Sequence, residues 1–345
     1  MLLSTLNIVM LATFMNPDQL FGALNDLKAL NKRSPHKAIT YYQNIVPQIP
    51  TLPSKGSMLL HLAGMDAAIK TKNASMVNTT LQITSQQNWL SSIEHGEYKV
   101  FVKMAIYHRK IRDYNYAEYL NSCALSWAVS EQQLNKVVNN LSVIYRYTEQ
   151  YSKAIELLEK KLIKVNSKTL KAKMYNNLGN FYQLMNRYNE AGAVYKKSFL
   201  IHSINDYPLM SSTVGLNLLQ AMILTENWSE FSRFIPAINQ SVAKTEHQDL
   251  IQYLYWQRMV FNVKYHGNIL TPAQEKRLIQ SMPLLHTPDI SASITDYVNI
   301  LNIDTLSSEW RTIIKRPFNL KVEKVNKRLP VKIACNKDTH QSILH

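Results

Sequence analysis

Glycine is scarce in this chain, with 8 residues in 345. Sheet-rich folds use glycine in their many tight turns, so the scarcity argues against them. Cysteine is rarer: only Cys123 and Cys335, 212 positions apart. Neither has a neighbour at metal-ligand or redox-motif spacing, so the pair does not indicate a redox compartment. Cys123 falls in an expected helix, where a thiol serves as a small core residue. Enzyme motifs are absent. There is no Gly-rich phosphate loop, no Gly-x-Ser-x-Gly and no His-Glu-x-x-His. Glu94-His95-Gly96-Glu97 groups polar side chains, but one histidine without a spaced second ligand makes a poor metal site. That segment reads as a helix start. Nothing here calls for a catalytic residue, a metal, a cofactor or a small-molecule substrate.

Acids are also few, 24 against 39 Lys and Arg, and the net charge is +15. The excess is uneven. Lys153 to Lys197 holds ten Lys/Arg against three Glu, and Arg311 to the end holds nine against two acids. Each region therefore carries a surplus of 7, together 14 of the 15. Such a surface favours an acidic partner: a peptide, a nucleic acid or an anionic membrane.

What the chain does have is apolar content, 46%, arranged at helical period. Disorder is therefore not its default. Its length exceeds one ordinary core, a limit that repeat proteins escape because each unit packs only on its neighbours. From Ser57 onward the pattern is helix, corner, helix, repeated. A small or apolar residue is followed 12 positions later by one opening the second helix: Gly64 with Met76, Ala105 with Ala117, Ser142 with Ala154, Gly179 with Ala191, Leu219 with Phe231. Successive units are offset by 41, 37, 37 and 40 residues. Three columns recur 37 apart in one register: Tyr114, Tyr151 and Tyr188; Met104, Leu141 and Leu178; His108, Tyr145 and Tyr182. Tyr175-Asn176-Asn177-Leu178-Gly179-Asn180-Phe181-Tyr182 and the following Tyr188-Asn189-Glu190-Ala191 form the clearest unit.

The spacing and residue types resemble a tetratricopeptide repeat (TPR) with about three extra residues per central unit. The resemblance covers roughly Gly96 to Asn205 well and Ser57 to Gly267 loosely. It implies an all-α, right-handed α-solenoid of helix-turn-helix hairpins with capping helices. The organisation expected is an apolar segment over residues 1–15, a helical pair over 16–53, repeats over 54–245, a helical cap over 246–316 and a basic extended or disordered tail over 317–345. Residues after Pro317 show no core-forming period, so they are expected to be removable without loss of the helical fold.

The residues 1–15 are uncharged and too few to cross a bilayer as a helix, so no transmembrane span is expected. Two readings stand: the apolar core of a secretory signal, or an extra helix over the open end of the stack. The compartment, cytoplasmic or exported to the periplasm, follows from which one holds.

A second, polar column runs along the first helices. Lys99, Lys136 and Lys173 recur 37 apart, followed by Val102, Asn139 and Asn176, then Ile106, Val143 and Asn180, then Arg109, Arg146 and Gln183. Offsets of 3, 7 and 10 from each Lys keep these on one helix face. In TPR proteins the corresponding face lines the concave groove. The candidate groove residues are thus Lys99, Arg109, Lys136, Asn139, Arg146, Lys173, Asn176 and Asn180. An Asn amide both donates and accepts, so it can bond an extended backbone, and Lys or Arg can meet carboxylates.

The expected function is non-enzymatic: a peptide- or protein-binding module with a partner carrying acidic groups, similar to bacterial TPR sensors and adaptors of regulatory systems. The alternatives are a nucleic-acid-binding repeat protein using the basic face and tail, and a structural assembly scaffold.

Overall fold

The computed structural model describes residues 14–204, 207–287, 290–315 and 329–335. Most of the apolar 1–15 segment and most of the basic tail therefore lie outside the described residues. Among those described there are seventeen α-helices and no strand. The chain divides into two compact units. Unit 1 comprises Met1–Ile144 with Val322–His345, and unit 2 comprises Tyr145–Lys321.

Unit 1 is built from α1 (Pro17–Arg33), α2 (Pro35–Ile45), α3 (Lys55–Thr71), α4 (Ala74–Thr84), the single turn α5 (Gln87–Leu90), α6 (Gly96–Lys110), α7 (Tyr114–Ser126) and most of α8 (Glu131–Tyr147). Caps fix the starts. Asn16 and Gln19 form a reciprocal capping box with Pro17 in the first turn of α1, and Ser54 and Asn73 cap α3 and α4 through their side-chain oxygens. Each satisfies amides that a helix start leaves open. Glu94-His95-Gly96-Glu97 does begin a helix, with His95 at the cap of α6.

Unit 2 continues with α9 (Tyr151–Leu162), α10 (Lys168–Leu184), α11 (Tyr188–Ile204), α12 (Pro208–Leu224), α13 (Trp228–Ala243), α14 (Gln248–His266), α15 (Pro272–Leu285), α16 (Ser291–Leu301) and α17 (Asp304–Ile314). Thr271 and Gln274 make a second capping box, with Pro272 opening α15. The core is apolar and aromatic: Leu178, Phe181, Phe199, Phe231, Trp256 and Tyr297 are all buried.

The corners between paired helices share one device. Lys72, Arg112, Glu149, Asn186 and Glu226 all have left-handed backbone, with φ between 52 and 66°. The next amide in each bonds back five residues, as in Asp113 N–H to His108 C=O at 2.9 Å and Arg187 N–H to Tyr182 C=O at 2.8 Å. This closes the last carbonyls of the first helix and reverses the chain. The corner positions are spaced 40, 37, 37 and 40 residues apart. The 37-residue period is therefore a period of geometry as well as of residue type.

Close approach occurs at glycine, though not always within one hairpin. A Cβ on Gly179 would sit 2.5 Å from the Tyr195 ring, on the second helix of the same hairpin. Gly64 behaves differently. Its neighbour is the Tyr42 ring of the preceding α2, also at 2.5 Å, rather than Met76 of α4.

The cysteines hold a finding that local spacing does not show. Cys123, fully buried on α7, is disulfide-bonded to Cys335, with Cα atoms 4.9 Å apart. Residues 329–335 are non-helical. They are held against α7 by two further bonds: Val331 N–H donates to the Tyr116 hydroxyl at 3.3 Å, and the Trp127 indole N–H donates to Ala334 C=O at 3.1 Å. This part of the tail is anchored to unit 1.

Candidate functional site

The eight residues singled out from the sequence divide equally between the units. Lys99, Arg109, Lys136 and Asn139 belong to unit 1, and Arg146, Lys173, Asn176 and Asn180 to unit 2. In unit 1, Lys99 Nζ donates to the Glu94 carbonyl at 2.6 Å, folding back on the start of its own helix. Its pKa is lowered, chiefly by burial, with Glu94 opposing. Arg109 sits in the last turn of α6, half-buried, while Lys136 is exposed and Asn139 half-buried on α8. The neighbouring Lys103 ion-pairs with Asp66 of α3, 37 residues earlier, and so ties α6 to α3.

Unit 2 brings its residues together more tightly. Asn176 and Asn180 lie one turn apart on α10, both half-buried. Asn217, on α12, reaches both. Its Nδ2 donates to Asn176 Oδ1 at 3.3 Å and to Asn180 Oδ1 at 3.4 Å. One amide nitrogen has two protons, so both bonds can exist together. The Tyr195 hydroxyl donates to Asn180 Oδ1 at 2.8 Å and lies 3.1 Å from Gln183. A hydroxyl has one proton, so it donates to one of these two side-chain oxygens at a time. Burial drives the Tyr195 pKa up, with Arg146 close enough to oppose it, so the phenol stays a neutral donor.

Asn217 was not among the sequence candidates. It stands 37 residues after Asn180, but the corner of its unit falls 40 residues on, so strict register aligns Gln220 with Asn180 instead. Gln220 and, a further 37 residues along, Gln257 are both buried. There the polar groups turn inward. Gln220 accepts from Tyr253 at 3.0 Å, and Gln257 Nε2 donates to Leu216 C=O at 2.8 Å and lies 2.9 Å from the Tyr297 hydroxyl. Burial pushes the Tyr253 pKa up to about 12 and raises that of Tyr297 well above its ordinary value. This network joins α12, α14 and α16 as structure.

The half-buried cluster differs from the buried network in what it leaves over. The bonds described above use the carbonyl oxygens of Asn176 and Asn180 and the nitrogen of Asn217. The two Nδ2 groups on α10 and the Oδ1 of Asn217 have no protein partner among the described residues. Lys173, exposed one turn before Asn176, adds a cation. The arrangement offers donors and an acceptor in a row, which suits the alternating N–H and C=O of an extended chain.

Other features carry less chemistry. Two depressions in unit 2 measure about 100 and 290 Å³. Ordinary ligand pockets run roughly 300–1,000 Å³. Among the described residues no group of three or more His, Cys, Asp and Glu is placed to hold a metal ion. No described helix is long and apolar enough to cross a membrane.

Residues 172–201 match the tetratricopeptide repeat family. The matched stretch contains Asn176 and Asn180 on its first helix and Tyr195 on its second, while Asn217, on α12, lies beyond it. A comparison with curated proteins found no match. Among solved structures, the chain is similar to a Rap protein crystallised with competence and sporulation factor, at 12% identity and a TM-score of 0.46. That similarity covers 86% of this chain and 97% of the other. The described residues form an all-α fold of helical hairpins, one of which matches the tetratricopeptide repeat.

Proposed function

We propose that this chain is a non-enzymatic, peptide-binding repeat module acting as a sensor or adaptor in a regulatory system. The observation that carries the reading is the Asn176–Asn180–Asn217 cluster with its unused amide groups. A hydrogen bond made in a half-buried site is costly to leave unmade, so a ligand that completes it gains specificity. Lys173 supplies a charge for an acidic side chain or a terminal carboxylate on the same ligand. The match of residues 172–201 to the tetratricopeptide repeat supports the same reading, because such repeats present their first helices to protein partners.

Nucleic-acid binding is the reading that competes with it, on the strength of the +15 net charge. The two separate by salt. Phosphate contacts lose affinity by orders of magnitude over a few-fold rise in salt, whereas amide contacts to a peptide backbone change little. The test is capture of the partner from the native host, identification by mass spectrometry, and titration of the purified partner at about 50 and about 200 mM salt. A protein partner with a shallow salt dependence supports the proposal. A nucleic acid with a steep one replaces it.

A further inference from the structure

Basic residues recur in the last turns of three helices of unit 1, α1, α3 and α6. Lys70, in the last turn of α3, donates to the Asn31 carbonyl in the last turn of α1 at 2.6 Å. The ends of α1 and α3 are therefore side by side. Lys103 pairs with Asp66, which ties α6 to α3. Lys110, at the end of α6, lies within electrostatic reach of Arg109, Lys72 and Lys70, and burial together with these neighbours lowers its pKa. With Lys32 and Arg33 closing α1 and Arg112 at the corner after α6, seven cations gather where three adjacent helices end.

The dipole of a helix end favours a cation, which accounts for one at each end. It does not account for crowding two or three at each of three neighbouring ends, where like charges repel. Lys32, Arg33, Lys72, Lys110 and Arg112 make no ion pair among the described residues. The acids that follow in the chain, Asp113 and Glu118, are already engaged, Asp113 with His108 at 3.2 Å.

We propose that the ends of α1, α3 and α6 form a second docking surface, which takes an acidic segment of a partner protein. It is separate from the amide cluster of unit 2 and stands whether or not that cluster binds peptide. Carboxylates rather than nucleic acid are the occupant. Single strands are held by bases stacked on exposed rings, and among the described residues no exposed aromatic side chain belongs to the last turns of α1, α3 and α6. The exposed Tyr119 lies within α7, and its ring is already stacked on Tyr116 with centroids 5.7 Å apart.

The test uses the full chain and a fluorescein-labelled decamer of glutamate, read by anisotropy at low salt. Lys72→Ala/Lys110→Ala/Arg112→Ala should weaken binding about tenfold or more. Lys55→Ala/Lys264→Ala/Lys276→Ala removes the same charge from outside this surface and should leave affinity within about twofold. Asn176→Ala/Asn217→Ala should leave it unchanged, which keeps this surface distinct from the amide cluster. Absence of binding, or equal loss in both triple variants, overturns the proposal. So does tighter binding of a labelled deoxythymidine decamer that depends on Lys72, Lys110 and Arg112, which would make the surface one for nucleic acid.

Discussion

Tyr195 covers Gly179 with its ring and donates its hydroxyl to Asn180, the next residue along α10. One side chain thus closes the hairpin and orients the amide at the candidate site. Packing and recognition are coupled there, because the ring can reach Asn180 only while residue 179 has no side chain.

Gly179→Leu should therefore open the α10–α11 hairpin. The Cβ alone would meet the Tyr195 ring at 2.5 Å. Overpacking of this kind costs about 1–3 kcal/mol. A thermal melt monitored by circular dichroism should show a clearly lower midpoint. A wild-type midpoint would mean that the two helices do not meet at this contact.

The disulfide makes a different demand. Closing a loop of 212 residues restricts the unfolded chain, and native disulfides contribute about 2–4 kcal/mol. Cys335→Ser should lower stability by an amount in that range, and removal of everything after Pro317 should do the same. Thiol titration of the denatured, unreduced protein should find no free thiol, against two after reduction. Two thiols before reduction would show that Cys123 and Cys335 are not bonded.

Acid should weaken unit 1 through His61. Its Nδ1 lies 2.7 Å from the Tyr42 hydroxyl, its ring packs on Trp89, and burial lowers its pKa to about 4. The unfolded chain takes up this proton near the ordinary value of about 6.5, and the folded chain only near 4. Stability from this group is complete above that upper value and lost as pH falls toward 4, by up to about 3 kcal/mol. His202, shifted the same way by burial and by Lys173, adds to the slope. His61→Asn keeps an acceptor for Tyr42 without a titrating ring. Unfolding midpoints measured from pH 7 to 4 should fall less steeply in this variant, and an identical slope would remove His61 from the account.

The helical repeat was legible because it is written in local periods. Tyr114, Tyr151 and Tyr188 each open a second helix in the structure, and the corners before them follow the same 37-residue interval. The left-handed corners were not legible, since Lys72, Arg112 and Glu149 are not residues that announce positive φ. Nor was the Cys123–Cys335 bond, because motif spacing detects neighbours and this pair is joined only by the fold. At the site, Asn176 and Asn180 were legible from their columns. Asn217 was hidden by a longer fourth unit, whose corner falls 40 residues on, so the bonding partner of Asn180 is not its repeat equivalent. Lys99 had the right spacing but turns back onto Glu94, a local choice that periodicity does not encode.

The central claim is that the half-buried amides of unit 2 hold an extended peptide. Isothermal titration of the captured partner segment into Asn176→Ala/Asn217→Ala tests it most directly. This pair spares Asn180, which satisfies the buried Tyr195 hydroxyl, so the helical signal should match wild type. Losing hydrogen bonds that leave ligand groups unpaired costs about 1–3 kcal/mol, and the account predicts affinity reduced about tenfold or more. Wild-type affinity in a folded double variant would contradict it.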